Sequence, residues 1–356
     1  MYKEDEMRIN NKNKSNTVLL YIIASVLLFI VFLVSISAGS VGITLSDTIK
    51  LLTDHISDSG HNLAINESLK TILFNVRMPR VVLAAMVGAA LSVSGAAMQG
   101  LLKNPLAEGS TLGITSGGAL GAVLSLTLGI HIPVFKQLGL AITSIIFSFL
   151  SIVLILSLTY KIDKGLSTQT IILTGVIFSM FTSSLTSLLV TLSGDSLKQV
   201  VFWSLGSFSG RGWSHVKLML PFFVAGTAVL LTLSHELNAF SLGEEQARYL
   251  GVNTKKIKLL ILALVSMLVG ISVSVSGTIG FVGLVVPHIT RLLAGPNFKK
   301  LLPLSVLFGA SFLMLTDLVS RTVLSPRELP IGVVTSFIGA FLFIYIFYNY
   351  SNKKSR

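Results

Sequence analysis

The stretch Ser241-Leu-Gly-Glu-Glu-Gln-Ala-Arg-Tyr-Leu-Gly251 lies between two long apolar runs, and this arrangement decides the fold. The flanking runs, about 214–234 and 257–276, are each long enough to cross a bilayer as a helix. In the stretch between them, an acidic pair favours a helix N-terminus, and glycines near both ends limit the helix to a few residues. The sequence therefore predicts a short charged helix at the membrane surface, where an energy-supplying partner can dock.

Similar apolar runs recur along the whole 356-residue chain. The chain is 52% hydrophobic and 12% charged, and its mean hydropathy of +0.82 excludes a soluble domain. The runs lack the two-residue alternation of a membrane barrel, so helices must pair the backbone amides. We expect an all-α, polytopic membrane protein of about ten transmembrane helices, with a cytoplasmic coupling helix pair between the sixth and seventh. The predicted spans are about 18–38, 80–100, 109–130, 138–160, 170–191, 214–234, 257–276, 280–294, 302–323 and 331–348.

The chain is predicted to form a single transmembrane domain, residues 17–349, because no loop is long enough to fold alone. Residues 1–16 form a charged cytoplasmic tail, and residues 350–356 form a second one. The first span is of full length and lacks a small-residue cleavage site, so it is expected to be a retained signal anchor.

The net charge of +12 arises from basic residues in the loops, which indicates membrane orientation rather than binding of nucleic acid. With both termini in the cytoplasm, 17 of the 27 Lys and Arg residues lie on the cytoplasmic side of the plasma (inner) membrane. This multi-pass orientation is the one that the positive-inside rule favours.

Several chemistries are excluded by the residues that the sequence lacks. It contains no cysteine, so thiolate metal sites and cysteine nucleophiles are ruled out. It has no phosphate-binding loop for ATP, no Gly-x-Ser-x-Gly turn and no His-Glu-x-x-His pair. The chain is therefore expected to have no catalytic residues, bound metal or cofactor, and any ATP would be used by a separate partner.

Three arginines, Arg77, Arg80 and Arg321, fall at the predicted outer ends of spans, against the positive-inside rule. They could anchor at lipid headgroups, with Arg321 paired to Asp317 one helical turn earlier. Alternatively, they could bind the carboxylates of an extracellular partner, for which the planar guanidinium is well suited. The residues alone leave both interpretations open.

The eighth span is interrupted by Gly280, Gly283 and Pro287, and broken helices often lie where transporters bind or gate. His288 follows the proline, but no second histidine or carboxylate is spaced to complete a relay or a metal site. We expect gating or a helix break here, with a structural or interfacial role for the histidine.

Taken together, the motifs resemble the FecCD, or cobalamin-permease-like, family of permeases for iron-siderophore complexes, haem and cobalamin. The resemblance covers about 70–348. The matching motifs are Arg77-Met-Pro-Arg80, Gly88-Ala-Ala-Leu-Ser-Val-Ser-Gly95, Gln99-Gly-Leu-Leu-Lys-Asn-Pro-Leu-Ala107, Leu112-Gly-Ile-Thr-Ser-Gly-Gly-Ala-Leu-Gly121, Phe202-Trp-Ser-Leu-Gly-Ser-Phe208, Ala247-Arg-Tyr-Leu-Gly-Val252, Gly280-Phe-Val-Gly-Leu-Val-Val-Pro-His-Ile289 and Glu328-Leu-Pro-Ile-Gly-Val333.

This resemblance implies an ATP-binding-cassette importer of ferric siderophore, with haem or cobalamin as alternative cargo. Its partners would be a second permease, identical or related, two cytoplasmic ATPase subunits and an extracytoplasmic binding protein. The binding protein would dock on Arg77, Arg80 and Arg321. The residues implied in ATPase coupling are Glu244, Glu245, Ala247, Arg248, Leu250 and Gly251.

An ion-coupled secondary transporter is the first alternative, because it too has many spans and broken helices. It needs buried acids near the membrane midplane, whereas Asp317 is the one clear carboxylate that the sequence places inside a span. An intramembrane enzyme is the second alternative, and the missing nucleophile and metal motifs disfavour it.

Overall fold

The computed structural model describes residues 2–39, 41–57, 67–129, 136–194 and 197–354. These residues contain fifteen α-helices, one π-helical turn and no β-strand. The π-helical turn is Ile72–Arg77. The α-helices are α1 (Tyr2–Ser37), α2 (Leu45–Ser57), α3 (Glu67–Thr71), α4 (Met78–Leu101), α5 (Ile114–Thr127), α6 (Lys136–Ile162), α7 (Thr168–Leu192), α8 (Leu197–Ser204), α9 (Trp213–Thr232), α10 (Ser234–Leu242), α11 (Glu244–Tyr249), α12 (Thr254–Ser276), α13 (Val282–Ala294), α14 (Phe298–Thr322) and α15 (Ile331–Lys354).

Seven helical stretches of the described chain are long and apolar enough to cross a membrane, and α5, α13 and α15 contribute three shorter apolar segments. These ten segments correspond to the ten predicted spans. The all-α prediction is confirmed, and α10 and α11 form the predicted helix pair between the sixth and seventh spans. The charged tail predicted for residues 1–16 is helical from Tyr2 and continuous with the first span.

Two predicted spans had the wrong limits. The third was predicted over 109–130, but its helix begins only at Ile114, because Gly113 adopts a left-handed conformation with φ of 70°. Residues 102–113 instead form turns, held by hydrogen bonds from the N–H groups of Ile114 and Thr115 to the carbonyl of Gly109. The second span was predicted to start at Arg80, yet the helical stretch begins at Glu67.

The α4 helix lies at the centre of the bundle and is buried over nearly its whole length. Small residues on it allow the backbones of neighbouring helices to approach closely, as in other membrane bundles. A Cβ atom on Gly88 would lie 2.2 Å from the carbonyl oxygen of Gly309 on α14. A Cβ atom on Gly95 would lie 1.9 Å from the carbonyl oxygen of Gly283 on α13. Glycine is therefore required at both contacts.

Serine hydroxyls join α5 and α6, where lipid supplies no hydrophobic drive for helix association. Ser144 on α6 donates to the carbonyl of Gly118 at 3.0 Å, and Ser148 donates to the carbonyl of Ile114 at 3.2 Å. Both donors are fully buried. The hydrogen bonds reach α5 because its glycines leave backbone carbonyls accessible.

The two ends of the bundle are defined by the loops that meet there. At one end, Lys103 donates to the carbonyl of Leu242 at 3.3 Å, and Asn238 donates to Asn297 at 3.1 Å. We call this the α11 end. At the opposite end, the segments after α1, α8 and α14 come together around buried arginines, and we call this the arginine end.

Candidate functional site

Asp317 on α14 is the centre of a buried ion cluster at the arginine end. Arg80 on α4 donates to it from Nε at 3.0 Å and from Nη2 at 2.9 Å. Arg321, one turn further along α14, lies with Nε 3.4 Å from the other carboxylate oxygen. The Asp317 side chain is 1% exposed, and those of Arg80 and Arg321 are 11% and 5% exposed. One carboxylate thus neutralises two cations and joins two helices.

The remaining donors of the arginines hold the last turn of α1 and the chain that follows it. Arg321 donates to the backbone carbonyls of Ser35 and Ala38, the latter at 2.7 Å. Arg77, in the π-helical turn, donates to the carbonyl of Ile36 at 3.2 Å and also to those of Ser37 and Val41. Arg80 completes its pairing with Glu328, whose side chain is 37% exposed, at 2.8 Å.

The structure therefore brings the three arginines predicted for docking close to one another, but buries all of them. Their guanidinium groups are engaged with carboxylates and carbonyls of this chain, which by itself accounts for cations at the arginine end. Docking by Arg77, Arg80 and Arg321 stays a prediction. Arg327, which directly follows the turn after α14 at the same end, is exposed.

At the α11 end, α11 is fixed against α12 by its first turn and by one buried side chain. Glu244 pairs with Lys258 on α12 at 2.8 Å, and the lysine side chain is only 8% exposed. Ala247 is fully buried. Gly243, with φ of 138°, separates α10 from α11 in a conformation that residues with a side chain rarely adopt. The predicted coupling residues Glu244 and Ala247 therefore face the bundle.

Three large apolar side chains around α11 point away from the bundle. Leu242 is 61% exposed, Tyr249 88% and Leu250 65%. We call these three residues the α11 patch. The other predicted coupling residues, Glu245, Arg248 and Gly251, are also exposed. A cavity of about 420 Å³ adjoins the patch, and its lining includes Leu242, Leu250 and Pro296.

The residues predicted to break the eighth span lie on both sides of the start of α13. Gly280 precedes the helix, next to Phe281, which begins it in a left-handed conformation with φ of 67°. Gly283 lies against α4, and Pro287 is inside the helix and buried. Both ring nitrogens of His288 are buried and have no hydrogen-bond partner among the described residues. The break is therefore at the N-terminus of α13, ahead of the proline.

Glu108, in the turns between α4 and α5, is a carboxylate that the sequence analysis missed. It lines a cavity of about 20 Å³ together with Val269 of α12 and Gly283 of α13. Its carboxylate accepts a hydrogen bond from the hydroxyl of Ser110. The adjacent Gly109 and Ser110 resemble an ordinary loop, so only the long-range packing reveals the position of this acid inside the bundle.

Comparison with known proteins identifies the family. The model of the FecCD transport family matches residues 27–349, which is most of the chain. The chain belongs to the FecCD transport family. The family predicted from the motifs is thereby confirmed, and this FecCD protein is a multi-pass membrane permease of the ATP-binding-cassette class.

Two relatives match this FecCD protein over nearly its whole length. An uncharacterised ABC transporter permease protein of Bacillus subtilis, YvrB, is 46% identical over 94% of each chain. The Fe(3+)-citrate import system permease protein YfmD of the same species is 34% identical over 94% of this chain and 96% of its own. Further relatives named for cobalamin, molybdate and hemin transport are 36% to 38% identical.

A solved structure agrees with this assignment. It is an inward-facing conformation of a transporter assigned to the metal-chelate type of ABC transporters. Its sequence is 34% identical, the TM-score is 0.79, and the match covers 93% of this chain and 99% of that chain.

Proposed function

We propose that this FecCD permease forms the membrane path of an importer for ferric siderophores and that separate ATPase subunits drive it from the α11 end. The observation that carries the proposal is the α11 patch, an exposed apolar surface at the ends of α10 and α11, and α11 is fixed to the bundle. Exposed apolar patches on folded proteins commonly mark contacts with partners. No residue of the chain supplies a phosphate-binding loop, so the ATPase must be a partner.

The attachments of α10 and α11 suit them to transmit motion. The Glu244–Lys258 pair joins α11 to the first turns of α12. The hydrogen bond from Lys103 to Leu242 joins α10 to the chain after α4, and the bond between Asn238 and Asn297 joins it to the start of α14. A displacement of the α11 patch by a partner would therefore act on three helices together.

The coupling role is tested with Tyr249→Glu plus Leu250→Glu. Because charged side chains cannot be buried in an apolar contact, we expect the loss of uptake and of permease-stimulated ATP hydrolysis, with an unchanged melting temperature. The matched control is Tyr249→Phe plus Leu250→Met, which keeps the apolar surface and should keep both activities. Full activity of the double glutamate variant would rule out docking at the patch.

We propose that an extracytoplasmic binding protein delivers the cargo at the arginine end. In this orientation both termini lie on the cytoplasmic side of the plasma membrane. Burial of Arg77, Arg80 and Arg321 supports a role in shaping this surface, with exposed Arg327 available to the partner. Charge reversal at Arg327 should weaken binding-protein affinity without unfolding the chain. Unchanged affinity would exclude Arg327 from the contact.

We further propose that two permeases pair around the path. An exposed face on α7 includes Ile177, Met180 and Phe181, and exposed Val333 and Phe337 begin α15. These faces suit either a second copy or a related permease. Cysteine pairs introduced at Met180 and Phe337 would report the pairing, since the chain has no cysteine of its own. A crosslinked dimer formed from a single type of chain would indicate the homodimer.

Iron-siderophore cargo is proposed because iron chelates recur among the family's transport systems, including a relative named for Fe(3+)-citrate. Cobalamin is the second candidate, supported by a relative 38% identical and named for its import. The test is uptake of labelled ferric siderophore, haem, cobalamin and molybdate by cells that lack the chain and by complemented cells. Loss and recovery of one iron chelate supports the proposal, and loss of another cargo alone overturns it.

A further inference from the structure

A second cavity, of about 560 Å³, opens at the α11 end between the C-terminal end of α4, the last turns of α13 and the α15 helix. We call it the α13 cavity. Its apolar lining includes Leu106, Leu292, Phe298 and Phe343. Phe298 is almost completely buried, so the cavity extends inward from the rim. A space of this size and character suits a ligand with a hydrocarbon part.

The polar lining of the α13 cavity is basic. Lys103, His288 and Arg291 contribute to it, together with Gln99 and Asn104. No aspartate or glutamate lines it among the residues that the structure describes. Arg291 forms no ion pair with the described part of the chain, in contrast to the paired arginines of the opposite end. The cavity therefore holds positive charge that has no internal counter-ion.

Two buried polar groups in the same lining are also without partners. Both ring nitrogens of His288 and the Oε1 atom of Gln99 form no hydrogen bond with any described residue. Buried polar atoms are normally paired, and an unpaired group costs about 1–3 kcal/mol, so each such atom requires an explanation. The Gln99 amide nitrogen is already paired with the carbonyls of Gly283 and Leu284, so its Oε1 atom requires a donor such as a ligand hydroxyl, whereas an anionic group beside Arg291 would accept from a His288 N–H.

We propose that the α13 cavity binds an anionic phospholipid, with the phosphate between Arg291 and Lys103 and an acyl chain along the apolar lining. The rim lies at the same end as exposed Lys255 and Lys299, at the level where lipid headgroups meet a multi-pass protein. Basic pockets between transmembrane helices are suited to such headgroups. The C-terminal residues 350–356 are an unsuitable occupant, because their charged side chains are all basic.

The test uses the purified full chain, stripped of lipid, and native mass spectrometry with phosphatidylglycerol or phosphatidylcholine. We expect at least tenfold more retained phosphatidylglycerol than phosphatidylcholine, and loss of this preference in Arg291→Gln plus Lys103→Gln. The matched control, Lys255→Gln plus Lys299→Gln, removes two exposed charges outside the cavity and should keep the preference. Equal retention by both double variants overturns the proposal.

Three further measurements separate the remaining outcomes. Inorganic phosphate at the same concentration should not displace phosphatidylglycerol, and displacement by phosphate would overturn the lipid in favour of a free anion. If the double glutamine variant does not fold, Leu292→Trp fills the cavity without a change of charge and must lower lipid retention. Phosphatidylglycerol should also raise the melting temperature of the wild-type chain but not of Leu292→Trp, because only bound ligand stabilises the fold.

Discussion

The Nη2 atom of Arg80 on α4 lies 2.9 Å from the Oδ1 atom of Asp317 on α14, 237 residues further along the chain. Nε of Arg80 donates to the same carboxylate, and Arg321 approaches its other oxygen. Two cations thus depend on one buried anion. Removing one member of such a cluster leaves charge in a medium that cannot solvate it.

The first prediction concerns this anion. Asp317→Asn should lower the free energy of unfolding by about 3–5 kcal/mol, because Arg80 and Arg321 would remain buried without sufficient negative charge. Denaturant titration in detergent, followed by circular dichroism, measures the change. Glu328→Gln is the control, since the Glu328 side chain is 37% exposed and its loss should cost at most about 1 kcal/mol. Equal shifts in the two variants would contradict the central role of Asp317.

The second prediction separates an internal role of Arg77 from docking. Arg77→Lys should speed hydrogen exchange around Ile36 and Val41, because an ammonium group cannot reach the three carbonyls that the planar guanidinium holds. Arg327→Lys, at an exposed position, should leave exchange in this segment unchanged. If Arg77→Lys instead weakens binding-protein affinity while exchange stays at the wild-type rate, Arg77 acts through docking.

The sequence was most informative where local pattern determines structure. Apolar runs predicted the helices, and the short α11 helix followed from the glycines near its ends. The partnership of Arg80 with Asp317 could not be predicted, because nothing local relates residues 237 positions apart. Glu108 was missed for the same reason, since its neighbours along the chain are typical of a loop and its half-buried position beside α12 and α13 depends on long-range packing.

The third prediction tests the close approach of α4 and α14. Gly88→Ala should lower the free energy of unfolding by about 1–3 kcal/mol, because the added methyl group would meet the backbone carbonyl of Gly309, which cannot rotate away. Gly42→Ala is the matched control, because a Cβ atom there has no neighbour within 4 Å. Thermal unfolding of both variants in the same detergent measures the difference. A Gly88→Ala variant as stable as Gly42→Ala would show that the two backbones are not in contact.

The fourth prediction is a pH dependence in the turn between α6 and α7. Hydrogen bonding with Ser167, and then with the backbone of Gly165, lowers the pKa of Asp163 to about 2. A lowered pKa contributes stability above the ordinary aspartate value of about 4, and this contribution disappears as the pH falls towards 2. The stability difference between wild type and Asp163→Asn should therefore shrink between pH 4 and pH 2. A difference that stays constant over this range would contradict the assignment.

The last prediction concerns Glu108, which lies within the bundle beside the start of α13. Its Oε2 atom is 3.4 Å from the point that a Cβ atom on Gly283 would occupy, and its carboxylate accepts the hydroxyl of Ser110. Glutamine has the same shape and keeps an acceptor oxygen, so Glu108→Gln should preserve uptake and stability. Alanine enlarges the cavity and leaves Ser110 without its acceptor, so Glu108→Ala should cost about 1–3 kcal/mol of unfolding free energy.

Melting temperature and cargo uptake, measured on both Glu108 variants, distinguish packing from charge. If the side chain supports the broken start of α13 by its volume and hydrogen bond, only Glu108→Ala loses stability, and its uptake falls with the amount of folded protein. If Glu108→Gln folds like the wild type but transports nothing, the negative charge itself is needed, and the packing role is wrong. Because Gly283 presents no side chain to the carboxylate, neither variant removes a side-chain contact between Glu108 and Gly283, and the comparison reports on the Glu108 side chain itself.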